Sequence, residues 1–166
     1  MREYAMRLPL LAALVATTLT TAWADTAHAE SHIGFANHCH ALNGYTAWEM
    51  QEDGYVENTS SSLTAGFSCA IDNSTTTSTS RTIYSDIRVK DQNSGANVSC
   101  QLFAVAVTGT SWTWSTAQTS TGSSSSLQTL SPTFSVAGNS HLGIYCQVPP
   151  SSAGATSRIY DFNVAW

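Results

Sequence analysis

Thr82-Ile83-Tyr84-Ser85-Asp86-Ile87-Arg88-Val89-Lys90 alternates dry and wet side chains from end to end. Ile83, Ser85, Ile87 and Val89 fall on one side; Tyr84, Asp86, Arg88 and Lys90 fall on the other. That period of two is what a half-buried β-strand needs, because successive side chains of a strand point to opposite faces. Residues 62–71 repeat the pattern, with Leu63, Ala65, Phe67, Cys69 and Ile71 on one face. So do residues 142–148, with Leu142, Ile144, Cys146 and Val148. Over residues 97–107 the parity breaks. Val98, Cys100 and Leu102 share one face, then Phe103, Val105 and Val107 take the other. A bulge near Leu102–Phe103 explains this break, as does burial of both faces. Cys39 keeps the parity of Ile33 and Phe35.

Helical spacing is nearly absent: Ser, Thr or Gly interrupts every window in which apolar residues recur at three and four. Residues 46–50 and 54–58 read as a short hairpin around Gln51-Glu52-Asp53-Gly54, and residues 112–115, 132–136 and 158–165 as further strands. Asp91-Gln92-Asn93-Ser94-Gly95 supplies turn residues between two strong strands, so residues 82–90 and 97–107 are expected to pair as an antiparallel hairpin. Asp91, Asn93 and Gly95 also fall at the alternate positions of a calcium loop. Such a loop needs more oxygen ligands and a closing carboxylate, and none follows. Residues 73–80 and 116–126 are low in complexity and read as surface loops. Several short strands with turns between them predict an all-β fold: a single antiparallel β-sandwich. The final run into Trp166 is expected to tie the C-terminus into a sheet.

Residues 1–29 have the order of a secretory signal peptide: a positive start at Arg2 and Arg7, an apolar run from Leu8 to Val15, then small-residue cleavage sites. Ala27-His28-Ala29 is favoured over Ala22-Trp23-Ala24. The alternative, a retained membrane anchor, needs roughly 20 mostly apolar residues, and threonines dilute this stretch too early. A secreted protein is expected, extracellular or periplasmic, with residues 30–166 as one domain and no membrane-spanning segment after cleavage.

The whole chain carries a net charge of −5 at pH 7. Beyond the leader, Arg81, Arg88, Lys90 and Arg158 are outnumbered by carboxylates. A few scattered cations make no footprint for nucleic acid and no attraction to anionic lipid. Charged residues make up only 10% of the chain, so Ser, Thr, Asn and Gln must keep it in solution.

Cys39, Cys69, Cys100 and Cys146 are even in number and follow an export signal, which predicts two disulfides. Of the three connectivities, Cys39–Cys69 with Cys100–Cys146 closes the shorter loops and is favoured by chain entropy. Each cysteine shares the dry face of its strand, so each is expected to bridge through the core to a facing strand. His38-Cys39-His40 invites a zinc reading, but zinc ligands usually come in close pairs and the other three cysteines stand alone. No metal site and no cofactor is expected.

Val98-Ser99-Cys100 after an Asp-containing turn, and Tyr145-Cys146-Gln147-Val148-Pro149 followed by Ser157-Arg158-Ile159-Tyr160, resemble a group of small exported bacterial β-sandwich proteins with paired disulfides. The resemblance covers roughly residues 62–164 and implies a fold and a compartment, not an activity. Trp114 between Cys100 and Cys146 is also similar to the immunoglobulin pattern. There a tyrosine stands two residues before the second cysteine; here that position is Ile144, and Tyr145 adjoins the cysteine. The similarity therefore reaches only the general shape, Ig-like or jelly-roll-like.

No catalytic residue emerges. G-x-S-x-G, H-E-x-x-H and a Gly-rich phosphate loop are all missing from the sequence. Glu49, Glu52, Asp53 and Glu57 cluster locally but read as a solvated turn. His38 and His40 read as wet neighbours of a disulfide. The aromatics remain as candidate ligand platforms. Trp112 and Trp114 are two apart and share a strand face. If outward, they can stack on sugar rings or dock a protein; if inward, they are core, which the polar Thr113 and Ser115 favour. Trp48, with Tyr45 and Tyr55, is the second candidate. The leading expectation is a non-catalytic binding or surface module with a glycan or protein ligand. The others are a secreted hydrolase with an unrecognised site and a purely structural component.

Overall fold

The computed structural model describes residues 31–75 and 79–166. The expected signal peptide, residues 1–29, lies outside them. The described residues form thirteen β-strands: β1 Ser31–Phe35, β2 Cys39–Ala41, β3 Trp48–Met50, β4 Val56–Asn58, β5 Ala65–Thr75, β6 Arg81–Lys90, β7 Ser99–Ala106, β8 Trp112–Trp114, β9 Gln118–Thr119, β10 Gln128–Leu130, β11 Thr133–Val136, β12 Ser140–Val148 and β13 Arg158–Ala165. A short 3-10 turn, Ala36–His38, separates β1 from β2.

All pairings are antiparallel and build two sheets. The first runs β10-β6-β13-β4-β3, with β1 also on β13 and β11 also on β6; the second runs β2-β5-β12-β7-β8, with β9 also on β7. One core unites both: Ile83, Ile87, Val89, Ile159, Phe162 and Val164 come from the first sheet, and Phe67, Leu102, Ile144 and Val148 from the second. The chain is thus an antiparallel β-sandwich. The C-terminal strand β13 is central, between β6 and the β1/β4 edge. A register shift between Ile159 and Asp161 lets Ile159 and Phe162 both point inward despite their odd spacing. Gly34 makes room for this ring, since a Cβ there would lie 2.1 Å from Phe162 Cζ.

The disulfides are Cys39–Cys69 and Cys100–Cys146, as loop entropy favours. Their placement differs from expectation. Each joins directly opposed residues of neighbouring strands in the second sheet, β2 to β5 and β7 to β12. Neither crosses to the facing sheet. Directly paired residues of adjacent antiparallel strands bring their Cβ atoms to about 4.5–5.5 Å, close to the roughly 3.5–4.5 Å that a disulfide spans, so the register itself sets up each bridge.

Further expectations give way as well. Strands β6 and β7 do not form a hairpin: they belong to different sheets. Strand β7 has no bulge at Leu102–Phe103, for its register with β12 is unbroken; the parity changes because both faces of β7 carry apolar side chains. Ile33 and Phe35 are exposed while Cys39 is buried, because the 3-10 turn intervenes and the chain changes sheets. Leu63 lies before β5 and is exposed. The presumed loop at residues 116–126 contains β9, and β5 extends to Thr75 within the other. The hairpin at Gln51-Glu52-Asp53-Gly54 forms as β3–β4, closed by Gly54 at a φ of 83°.

The residues between β6 and β7 explain the crossover. Asp91 is fully buried. Its carboxylate accepts from the Asn93 N–H (3.0 Å) and the Ser157 hydroxyl (3.0 Å) on Oδ1, and from the Val98 N–H (3.2 Å) and the Ser120 hydroxyl on Oδ2. Asn93 Oδ1 in turn accepts from the Gly95 and Ala96 N–H groups, and its amide donates to the Pro150 carbonyl. The two side chains that suggested a calcium loop are engaged in folding the linker. Asn58, also buried, makes the matching tie near β4 and β12, donating to the carbonyls of Leu63, Val148 and Pro149.

Asp91→Ala strands the Asn93 N–H and the buried Ser157 hydroxyl, each costing about 1–3 kcal/mol, while the Val98 N–H and the Ser120 hydroxyl keep their bonds within that pair of residues. We expect a loss of about 3 kcal/mol or more by urea denaturation. Asp53→Ala, on an exposed turn, should stay within about 0.5 kcal/mol.

Candidate functional site

The outer face of the second sheet gathers several aromatic rings near one point. Strand β8 pairs with β7 so that Trp114 lies opposite Phe103 and Trp112 opposite Val105. Trp112 is 58% exposed and Trp114 45%. The two indoles are nearly parallel, at 14°, with centroids 6.0 Å apart. Phe103 sits 5.7 Å from Trp112 and 5.2 Å from Trp114. Tyr145, on β12, meets Trp114 edge-on at 6.1 Å. The outward alternative therefore holds for this pair, against the core reading that Thr113 and Ser115 favour. Strand β8 is the sheet edge, and Thr113 is exposed as well. Ser115 is buried for a separate reason: its hydroxyl accepts the Leu102 N–H at 2.9 Å.

Backbone pins hold this edge in place. The Ser115 N–H donates to the Leu102 carbonyl, and the Ser120 N–H to the Val98 carbonyl. Ser120 Oγ accepts the Val98 N–H at 2.9 Å. The tryptophans thus stand on a short strand fastened just beyond its C-terminal end, with β9 fastened in turn. These serines lie in a stretch where serine is so common that composition gives no signal.

Two glycines shape the surface beside the rings. Gly143 lies directly across from Phe103, and a Cβ there would fall 2.2 Å from Phe103 Cζ. Gly66 lies under Tyr145, a Cβ there being 3.1 Å from the Tyr145 hydroxyl. Beyond Tyr145 the face continues into a groove of about 260 Å³ lined by Asn43, Tyr45, Thr64, Gly66 and Gln147 among others. Gln147 Nε2 donates to the Tyr145 hydroxyl at 3.3 Å. Rings, then amides and hydroxyls, follow one another across the strands. None of these side chains carries a formal charge, in a chain whose net charge is −5.

The second candidate platform is not assembled. Trp48 turns onto the core, edge-on to Phe67 at 6.0 Å. Tyr45 donates its hydroxyl to Asn58 and Leu63. Tyr55 packs on Tyr160 at 5.2 Å and lies under the Arg158 guanidinium at 4.6 Å; burial raises its phenol above the ordinary tyrosine value. Glu57, part of the acidic cluster, accepts from Arg158 Nε at 2.8 Å and from Gln51 Nε2 at 3.0 Å. Glu52 and Asp53 remain exposed on the turn. His38 and His40 are exposed, on the side of Cys39 away from the core.

No protein-family model matches the chain, and no curated protein matches it. Solved structures do. The C-terminal CBM6 of a marine laminarinase from Zobellia galactanivorans is 12% identical, covering 82% of this chain and 100% of its own, with a TM-score of 0.47. A CBM35 from Cellvibrio japonicus is 17% identical over 81% of this chain and 92% of its own, TM-score 0.45. A family 35 carbohydrate binding module from Clostridium thermocellum is 10% identical over 81% and 97%, TM-score 0.47. A family two carbohydrate esterase from Cellvibrio japonicus is also similar, at 8% identity and a TM-score of 0.44, but the match spans 34% of that longer chain.

Gly143→Ala places a methyl where the Phe103 ring lies, so the ring must leave its position and its packing on the indoles is disturbed. We expect a weakened tryptophan signal in near-ultraviolet circular dichroism, with the far-ultraviolet β spectrum kept. Ser135→Ala, exposed on the other sheet, should change neither.

Proposed function

We propose that this chain is an exported, non-catalytic module that binds a neutral glycan across the outer face of its second sheet. The observation that carries this is the exposed pair Trp112 and Trp114, backed by Phe103 and joined by Tyr145. Exposed rings present apolar faces that stack on the C–H faces of sugar rings, as they do on other flat, amphipathic partners. A contiguous apolar patch beside convergent polar groups is the usual mark of a binding site. Gln147, Asn43 and Thr64 supply the amides and hydroxyl that hydroxylated rings need for orientation.

Charge decides the class of glycan. The named residues of the face offer neither cation for a uronate or sulfate nor carboxylate for general acid–base work. The rings and groove run across the strands, from β8 through β7 and β12 toward the loop after β2, so a linear oligosaccharide would lie perpendicular to them. Export is supported by the leader at residues 1–29 and by the pairing of all four cysteines, which an oxidising compartment favours.

The test is a panel of neutral and acidic oligosaccharides presented to the wild type and to the Trp112→Ala/Trp114→Ala double variant. We expect binding to neutral chains, lowered about thirtyfold in the variant, equivalent to about 2 kcal/mol. Unfolding midpoints should match, because both side chains are exposed. Equal binding by the variant, or binding confined to acidic glycans, removes this function.

A further inference from the structure

The first sheet carries a different face with its own chemistry. Two depressions, of about 250 and 370 Å³, meet at Asp86 and Asn163. These two residues are direct partners in the β6–β13 register, and Ile33 is the partner of Asn163 on its other side. One rung across the sheet therefore reads Ile33, Asn163, Asp86. Ser131, just beyond, donates its hydroxyl to Asp86 Oδ1 at 2.6 Å. The neighbouring rungs supply rings: Tyr84, two residues before Asp86, is 58% exposed, and Phe35, two after Ile33, is 55% exposed. The remaining nearby charges cancel, for Arg88 is paired with Asp161 by two hydrogen bonds.

We propose that this face is a second binding site, for a neutral saccharide, on the side of the sandwich opposite the tryptophans. Asp86 offers acceptors, Asn163 a donor and an acceptor, and Ser131 a hydroxyl; together they match adjacent sugar hydroxyls, which both give and take protons. Tyr84 and Phe35 flank the polar rung and offer ring faces to a pyranose on either side of it. Asp86 is the one unpaired charge among these groups, so it repels uronates and sulfated sugars. The site shares no residue with the first and does not depend on it.

The experiment is a ¹H–¹⁵N correlation titration of the whole protein with cellohexaose, xylohexaose, mannohexaose and laminarihexaose. At least one hexaose should shift the backbone amides of Tyr84, Asp86 and Asn163, separately from those of Trp112, Trp114 and Tyr145. Tyr84→Ala/Asn163→Ala should abolish the first set alone; both side chains are exposed, so the rest of the spectrum should persist. Trp112→Ala/Trp114→Ala should abolish the second set alone. Shifts confined to the tryptophan face overturn this site and leave the first. Shifts confined to the Asp86 face sustain it and overturn the first. A spectrum unmoved by every hexaose overturns both.

Discussion

Everything in this fold passes through one buried carboxylate. Asp91 stands where the chain leaves the first sheet, and its two oxygens gather groups from the start of β7, the end of β9 and the start of β13. A carboxylate removed from water is costly unless its acceptors are filled, and here four donors fill them. That requirement determines the crossover. A tight hairpin would keep β6 and β7 in one sheet and leave Ser120 and Ser157 without this partner. Folding the linker over Asp91 brings the two sheets into register and delivers the chain to the edge where β8 and β9 lie.

The disulfides act on a different axis. Both lie in the second sheet, at β2–β5 and β7–β12, with the β5–β12 pair between them. Ile144 separates Cys69 from Leu102 in one rung; Phe67 adjoins Cys146 and Cys100 in the next. The bridges therefore join four consecutive strands two by two, with backbone pairing between the pairs, and do nothing to fasten sheet to sheet. That second task falls to the apolar core and to the buried polar ties of Asp91 and Asn58. The braced sheet is also the one bearing Phe103 and Tyr145, so the rings rest on its most constrained part.

The strands were legible because period-two alternation survives wherever one face is wet: residues 82–90 and 142–148 declare themselves. Cysteine parity gave the inward face and loop length gave the pairing. What local pattern cannot carry is which strand neighbours which. Asp91-Gln92-Asn93-Ser94-Gly95 has hairpin chemistry, yet the deciding partners of Asp91 lie 29 and 66 residues away. The same limit applied to the tryptophans. Their shared face follows from spacing, but its direction depends on β8 being an edge strand, a fact of topology. Trp48 fails as a platform for the converse reason, since its ring packs edge-on against the buried Phe67. The Asp86–Asn163 rung is more than 70 residues apart in sequence and becomes visible only through the β6–β13 register.

The distribution of charge separates the two faces more sharply than their shapes do. On the second sheet, rings and amides stand with no formal charge among them, so a ligand of the proposed kind would be held by burying apolar ring faces, with little dependence on salt. On the first sheet Asp86 is solvent-exposed and unpaired by any cation, while Arg88 is held by Asp161. A hydroxylated ligand meeting Asp86 forms charge-assisted hydrogen bonds, which are stronger and more directional than those between neutral groups. On these proposals one face would select by stacking and the other by hydroxyl geometry. Because the sheets pack back to back over a single core, occupants of the two faces point away from each other and cannot compete for space.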